Sequence, residues 1–191
     1  MCDIASIPES CNEIDFLMVL NNKAFQVDDV FFSEKKNNII MDGTFSKILY
    51  SSRHFTMNGI FFDFPIHHTK PVVLPDEESD AAAVTGSHPK RDLIYNPYHP
   101  QNISVLMDFC KIEEDLLNAY KQFFRTEKQA QCCMKTQFFN GYVRVRSVYD
   151  SLVPFTENQY VLKLSGIWET GSSYGLSYKI MYRVRSSHPT V

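Results

Sequence analysis

The sequence predicts a mainly β protein, an OB-like antiparallel barrel of about five to seven strands with one main helix. Three observations support this prediction. Short β-type runs fill the first half of the chain, one stretch has helical spacing, and three further strand-like runs follow it. A lone helix among strands suits a small barrel that the helix closes at one end. A jelly roll or a sandwich stays open as the alternative, because strands alone do not fix their topology.

The strands of the first half come from apolar runs with turn residues between them. Residues 14–20 form a β-type run, and residues 24–32 alternate loosely. After an Asp-Gly turn pair, residues 45–50 and 55–64 form two longer runs with a short polar connection. These last two runs are predicted to pair as a hairpin.

A proline-rich and acidic stretch separates these strands from the helix. Residues 67–103 are predicted to form a mobile loop within a single domain of residues 1–191, because Pro and small residues interrupt the strand pattern there. From Ser104 onwards apolar residues recur three and four positions apart. That spacing predicts a helix over about 104–125, with Ser104 or Asn102 as its N-cap.

Three strands are predicted after the helix, over residues 136–148, 160–168 and 176–185. Residues 169–175 form the loop before the last strand. In that strand the even-numbered positions are apolar or aromatic, and the odd-numbered positions are mostly polar or basic. The last strand is therefore expected to turn one face to the core and the other to solvent.

Composition and motifs exclude several classes of protein. The chain has 44% apolar and 21% charged residues and a net charge of −3, which excludes bulk disorder. Its apolar runs are too short for a membrane helix, and no secretory signal is expected. The five cysteines are odd in number and lack a CxxC pair, which favours an intracellular, reducing compartment. No GxSxG, HExxH, Walker A or GxGxxG motif occurs, so no enzyme and no cofactor are predicted. The spacing of Asp63, His67 and His68 fits no common metal site.

Basic and aromatic residues interleave on the predicted strands, and residues 138–191 carry six Lys and Arg against three Asp and Glu. Proteins bind single-stranded nucleic acid through basic residues that contact its phosphates and aromatic rings that stack on its bases. The predicted phosphate contacts are Arg144, Arg146, Lys179, Arg183 and Arg185, and the predicted stacking residues are Tyr50, Phe55, Tyr149 and Tyr174. Arg53 is a further predicted nucleic-acid-binding residue. The competing interpretation is structural, because strands commonly carry Lys and Arg on the wet face and Phe and Tyr in the core. For Trp168, the only tryptophan, a core role is favoured over stacking.

Four blocks carry a resemblance to a known family. They read FSKILYS at 45–51, FTMNGIF at 55–61, LKLSGIWET at 162–170 and YGLSYK at 174–179. Together they resemble single-stranded DNA-binding proteins of large DNA viruses of insects and related elements. The resemblance implies an OB-type barrel that coats single-stranded DNA in viral replication or recombination, in the host nucleus or cytoplasm. Replication proteins and further copies of the chain are the additional partners expected, and the short apolar runs predict no membrane association.

Two points limit what the resemblance implies. Many such proteins end in an acidic tail that recruits partners, whereas this sequence ends in the basic stretch 183–191, so recruitment through it is in doubt. The alternative function is a β-rich structural or protein-interaction module of a virus that binds no nucleic acid.

Overall fold

The computed structural model describes residues 18–38, 42–68, 91–147 and 159–183. The strands are β1 Val30–Phe32, β2 Lys36–Asn37, β3 Thr44–Ser51, β4 Thr56–Asn58, β5 Ile60–Asp63, β6 Arg91–Ile94, β7 Gln129–Gln131, β8 Tyr142–Ser147, β9 Gln159–Glu169 and β10 Ser173–Arg183. The helices are α1 Pro100–Phe124 and α2 Cys133–Phe139, and two short 3-10 turns lie at Asn22–Ala24 and Val27–Asp29. Neither α-helix in this described part is long and apolar enough to cross a membrane.

The strands form one mixed sheet in the order β1-β3-β9-β10-β8-β6. β2 and β4 also pair with β3, β5 pairs with β9, and β7 pairs with β10. The prediction of a mainly β protein is confirmed. The prediction of a purely antiparallel arrangement is wrong, because β10 pairs in parallel with both β7 and β8. Among the described residues the sheet is open, with β1 and β6 at its two ends.

The predicted hairpin is confirmed at its tip, where β3 pairs with β4. Beyond Gly59 the chain leaves β3, and β5 pairs with β9 instead. Gly59 has a φ of +82°, and a Cβ there would lie 2.8 Å from the carbonyl oxygen of Leu164. Only glycine fits both this backbone conformation and this close approach. The long strand predicted over residues 55–64 is therefore two strands with different partners.

Helix α1 begins four residues earlier than the apolar spacing indicates. His99 is its N-cap, and Pro100 occupies the first helical position, where proline costs no hydrogen bond. Asn102, one of the two predicted caps, is buried instead, and its side chain bonds to backbone groups of His67 and Asn96. The local residues His99 and Pro100 thus set the start of this helix, and Asn102 ties its first turn to residues 67 and 96.

The core lies between α1 and one face of the sheet. Phe109, fully buried in the middle of α1, packs its ring 5.6 Å from the rings of both Phe62 and Phe64. Leu116 and Leu164 are also fully buried. Each such side chain contributes roughly 1.5–3 kcal/mol through burial. Replacing Phe109 by Ala would remove the centre of this contact.

Several predicted boundaries need correction. The loop predicted over 67–103 contains β6 and the start of α1, and residues 69–90 lie outside the described residues. The strand predicted over 136–148 is the end of α2 followed by β8, because Met134 and Phe138 lie one helical turn apart and bury the same face. The loop predicted over 169–175 shortens to residues 170–172.

Two further strands are predicted near the start of the chain. Of the strand predicted over 14–20, residues 14–17 lie outside the described residues, and Leu20 forms a parallel bridge with Phe62. The strand predicted over 24–32 shortens to β1, which follows the second 3-10 turn.

Candidate nucleic-acid interface

The sheet has an inner face, covered by α1, and an outer face that points away from the helix. On β3 the fully buried Ser46 and Ile48 alternate with Lys47, which is exposed. On β9 the buried Ile167 and Glu169 flank Trp168, which is only half-buried. Because side chains alternate along a strand, Lys47 and Trp168 lie on the outer face.

Two aromatic rings on the outer face each lie against a glycine. We call Phe45 and Trp168 the aromatic pair; they face each other across β3 and β9. A Cβ at Gly175 would lie 2.4 Å from Cζ2 of Trp168, and one at Gly166 would lie 2.5 Å from Cζ of Phe45. Both rings therefore occupy space that any other residue's side chain would need. This contact fixes the rings at the surface of the sheet.

Three lysines form a basic cluster beside the aromatic pair. Lys163 of β9 is the register partner of Lys179 on β10 and of Phe61 on β5. Its Nζ lies 4.7 Å from the centre of the Phe61 ring. Lys47 of β3 is the register partner of Gly166. We call Lys47, Lys163 and Lys179 the lysine cluster.

The electrostatics of the lysine cluster are unfavourable in the protein alone. Burial, together with repulsion from Lys179 and Lys47, lowers the pKa of Lys163. Like charges placed opposite each other on a sheet are destabilising. Within the described ranges no carboxylate forms an ion pair with any of the three. The cluster is therefore a site of positive potential suited to an anion from outside.

A cavity of about 590 Å³ adjoins this surface. It is lined by one side of α2, the start of β8, Trp168 and residues 176–180 of β10. Two of its lining residues, Arg144 and Lys179, are basic, and three, Tyr142, Trp168 and Tyr178, are aromatic. Tyr142 is 55% exposed. The cavity thus shares Trp168 with the aromatic pair and Lys179 with the lysine cluster.

Arg144 at this cavity is only loosely held. Its Nε lies 3.5 Å from Oδ1 of Asp92, and its side chain is 62% exposed. That distance is too long for a good hydrogen bond, and Oδ1 of Asp92 is buried without a hydrogen-bond donor among the described residues. The guanidinium N–H groups of Arg144 are therefore available to an external acceptor such as a phosphate.

A buried carboxyl group anchors α2 beside the cavity. Glu113 of α1 is fully buried, and its side-chain oxygens accept hydrogen bonds from the backbone N–H groups of Cys133, at 3.0 Å, and Met134, at 2.9 Å. Burial raises the pKa of Glu113 to about 7, although the backbone hydrogen bonds oppose the shift. Glu113 thereby bonds the otherwise unpaired N–H groups at the start of α2.

A second buried carboxylate holds the end of β9 next to Trp168. Glu169 forms ion pairs with Lys35, at 2.8 Å, and Lys128, at 2.7 Å. It also accepts a hydrogen bond of 2.7 Å from the hydroxyl of Tyr120. Burial alone would raise the pKa of Glu169, but the bonds from Lys128, Lys35 and Tyr120 outweigh it and lower the pKa to about 2. In the sequence Glu169 belongs to the loop predicted over 169–175, and nothing in that pattern signals a buried, paired carboxylate.

Two of the predicted stacking residues belong to the core. Tyr50 is 2% exposed, and its ring stacks on Phe25 and Phe55. Tyr174 is 1% exposed, packs 5.4 Å from the ring of Tyr120, and lies within hydrogen-bonding distance of the carbonyl of Leu117. These buried rings offer no face to a base, so we correct their predicted role from stacking to packing.

The remaining predicted residues lie in different surroundings. Phe55 is half-buried against Tyr50, and Arg53 is exposed in the turn between β3 and β4. Arg144 and Lys179 are brought together at the cavity. Arg146 and Arg183 belong to β8 and β10 by their backbones, but their side chains lie outside the description, as do Tyr149 and Arg185 entirely.

The structure adds Phe45, Lys47, Phe61 and Lys163 to the candidate interface, and it places Trp168 on the outer face rather than in the core. Alternation within β3, β5 and β9 is the only signal that could have found them, and it does not show which residues on separate strands meet. In the parts of the chain that are described, no group of three or more His, Cys, Asp and Glu side chains is placed to hold a metal ion.

The described strands form an open mixed sheet with α1 on one face and a basic, aromatic surface on the other. No protein-family model, curated protein or solved structure matches this chain. The resemblance to viral single-stranded DNA-binding proteins therefore depends on the four sequence blocks alone and remains a prediction.

Proposed function

We propose that this protein is a non-enzymatic, sequence-nonspecific single-stranded DNA-binding protein and that its interface is the outer face of the sheet. The observation that carries the proposal is the lysine cluster, which lies beside Phe45 and Trp168 and has no ion-pair partner among the described residues. A polyanion relieves the repulsion among these charges, and no such relief is available from the described carboxylates. Aromatic rings next to cations supply the second element of single-strand binding.

In this proposal the lysines contact phosphates and the aromatic pair stacks on bases. Base stacking on such rings contributes roughly 1–3 kcal/mol per base with little dependence on the base. Arg144 extends the basic surface towards β8, where its guanidinium is only weakly engaged by Asp92. Phosphate contacts release counterions, so the affinity should fall steeply as salt is added.

The finer parts of the prediction remain proposals. A role in viral replication or recombination, and replication proteins as partners, depend on the sequence resemblance. An OB-type barrel would require β1 and β6, the two ends of the sheet, to come together.

A protein-interaction module is the second candidate, and a set of exposed apolar side chains at and just before the start of α1 favours it. Ile103 and Met107 lie one turn apart on α1 and are 40% and 50% exposed, and the nearby Tyr98 is 68% exposed. Clustered exposed apolar side chains are typical of surfaces that bind other proteins. This candidate does not involve the lysine cluster, so the two functions can be tested separately.

The deciding experiment is fluorescence anisotropy of a labelled single strand of about 30 nucleotides, long enough for several binding sites of this kind. It is measured at about 50 and about 200 mM salt, with duplex DNA as competitor. Quenching of Trp168, the only tryptophan, gives a second, label-free signal from the interface itself. Tight, salt-sensitive binding that quenches Trp168 and resists duplex supports the proposal. No binding at low salt would remove it and favour the interaction module.

A further inference from the structure

We propose that the cavity between α2, β8 and β10 receives one unstacked base of the bound strand and gives the interface a measurable base preference. This inference rests on the proposed function. It goes beyond that function because phosphate contacts and stacking alone discriminate little between bases.

The cavity exists because the edge of β10 has two separate partners. β7 pairs in parallel with Ser173–Gly175, and β8 pairs in parallel with Ile180–Tyr182. Between them along the chain, α2 replaces what would otherwise be a continuous strand. Residues 176–179 of β10 pair with β9 on one side, and on the other side they border the cavity. The opening is built into the sheet and does not depend on a flexible surface loop.

The lining of the cavity has the chemistry that a single nucleotide needs. Arg144 and Lys179 supply positive charge for a phosphate, and Trp168 and Tyr142 supply rings for a base. The volume of about 590 Å³ falls within the range of sites for small organic ligands, roughly 300–1,000 Å³. Because Trp168 also belongs to the aromatic pair, a strand stacked there has its next base close to the cavity.

Two amide side chains in the lining can read the edge of a base. Gln137 and Asn140 project from the end of α2. The hydroxyl of Tyr178 hydrogen-bonds Oε1 of Gln137, which leaves the amide nitrogen of Gln137 to donate to a ligand. Amide contacts of this kind distinguish one base from another, whereas a stacking ring does not. Glu113 fixes the opposite end of α2, so these amides are held on an anchored helix.

The test compares affinities for dT, dC and dA strands of equal length. In the wild-type protein we expect the strongest and weakest strands to differ by about fivefold or more, as one good base contact provides. The double variant Gln137→Ala/Asn140→Ala should reduce that ratio to near one and leave the salt dependence unchanged. Gln137→Met alone, which keeps the length of the side chain but removes the donor, should reduce it in part.

A matched control removes the same two residue types from α1. Gln101 and Asn118 are both exposed and lie outside the cavity, so Gln101→Ala/Asn118→Ala should keep the wild-type ratio. An equal ratio in the wild type and in the cavity variant, with binding intact, overturns the inference and leaves the proposed function standing. Failure of the wild type to bind any strand overturns the proposed function, and this inference with it.

Discussion

Removing the charge of the lysine cluster should weaken DNA binding without destabilising the fold. The perturbation is the triple variant Lys47→Gln/Lys163→Gln/Lys179→Gln. These side chains lie on the outer face of adjacent strands, away from the core. Burial and the repulsion of its neighbours lower the pKa of Lys163, which means that the charged form is disfavoured in the folded protein. Neutral side chains should therefore leave the melting temperature unchanged or slightly higher.

The size of the effect on binding follows from the number of phosphate contacts. For a single strand each contact contributes about 0.7 to the slope of log affinity against log salt. Three lysines then account for a slope of about 2. Raising the salt from about 50 to about 200 mM should cost the wild type about 16-fold more affinity than it costs the triple variant.

The assay is anisotropy titration at four or more salt concentrations, with thermal unfolding measured on the same samples. The control variant is Lys23→Gln/Lys111→Gln/Lys121→Gln, which makes the same change in net charge with exposed lysines on the helix side. Its slope of log affinity against log salt should stay within about 0.7, the value of one phosphate contact, of the wild-type slope. An unchanged slope in the cluster variant, or an equal loss in the control, would show that the lysine cluster does not contact phosphate.

Two further predictions concern the buried carboxyl groups. The pKa of Glu169 is lowered from its ordinary 4.5 to about 2, so its stabilisation is present above pH 4.5 and lost as the pH falls through 2. Glu169→Gln leaves Lys35 and Lys128 without their charged partner and should lower the free energy of unfolding at pH 7 by about 3 kcal/mol. It should also reduce the loss of stability between pH 4.5 and 2, as measured by urea unfolding between pH 2 and 7. Wild-type stability of the variant at pH 7 would contradict this. The pKa of Glu113 is raised from 4.5 to about 7, so its contribution is present below pH 4.5 and lost as the pH rises through 7. Glu113→Gln should remove a decline of about 3 kcal/mol between pH 4.5 and 8 in the same measurement, and an identical decline in both proteins would refute the assignment.

Local sequence patterns correctly predicted the helices and strands whose structure depends mainly on the residues within them. The spacing of apolar residues predicted α1 because Phe109 and Leu116 bury one stripe of a regular helix. Alternation in β10 predicted that Ile180 faces the core and Lys179 the other side. In both cases the period of the backbone alone decides which side chains share a face.

Contacts between distant segments determined the rest. α2 is short, and its first N–H groups bond to Glu113, about 20 residues earlier in the chain, so nothing within residues 133–139 marks its start strongly. The candidate interface depends on register, which places Lys163 opposite Lys179 and Phe45 opposite Trp168. Tyr174 became a core residue because β10 begins at Ser173 and turns its ring towards α1.

The contacts of Glu169 have a consequence for how the protein folds. Its ion pair with Lys35 joins residues 134 positions apart, and its bond to Tyr120 spans 49 positions. Pairings across such distances form slowly, because closing the long chain segment between the two residues costs conformational entropy before the contact can stabilise the fold. Since Trp168 precedes Glu169 directly, its long-range contact with Phe45 on β3 is expected to form later than its local contact with Gly175 in the β9–β10 hairpin.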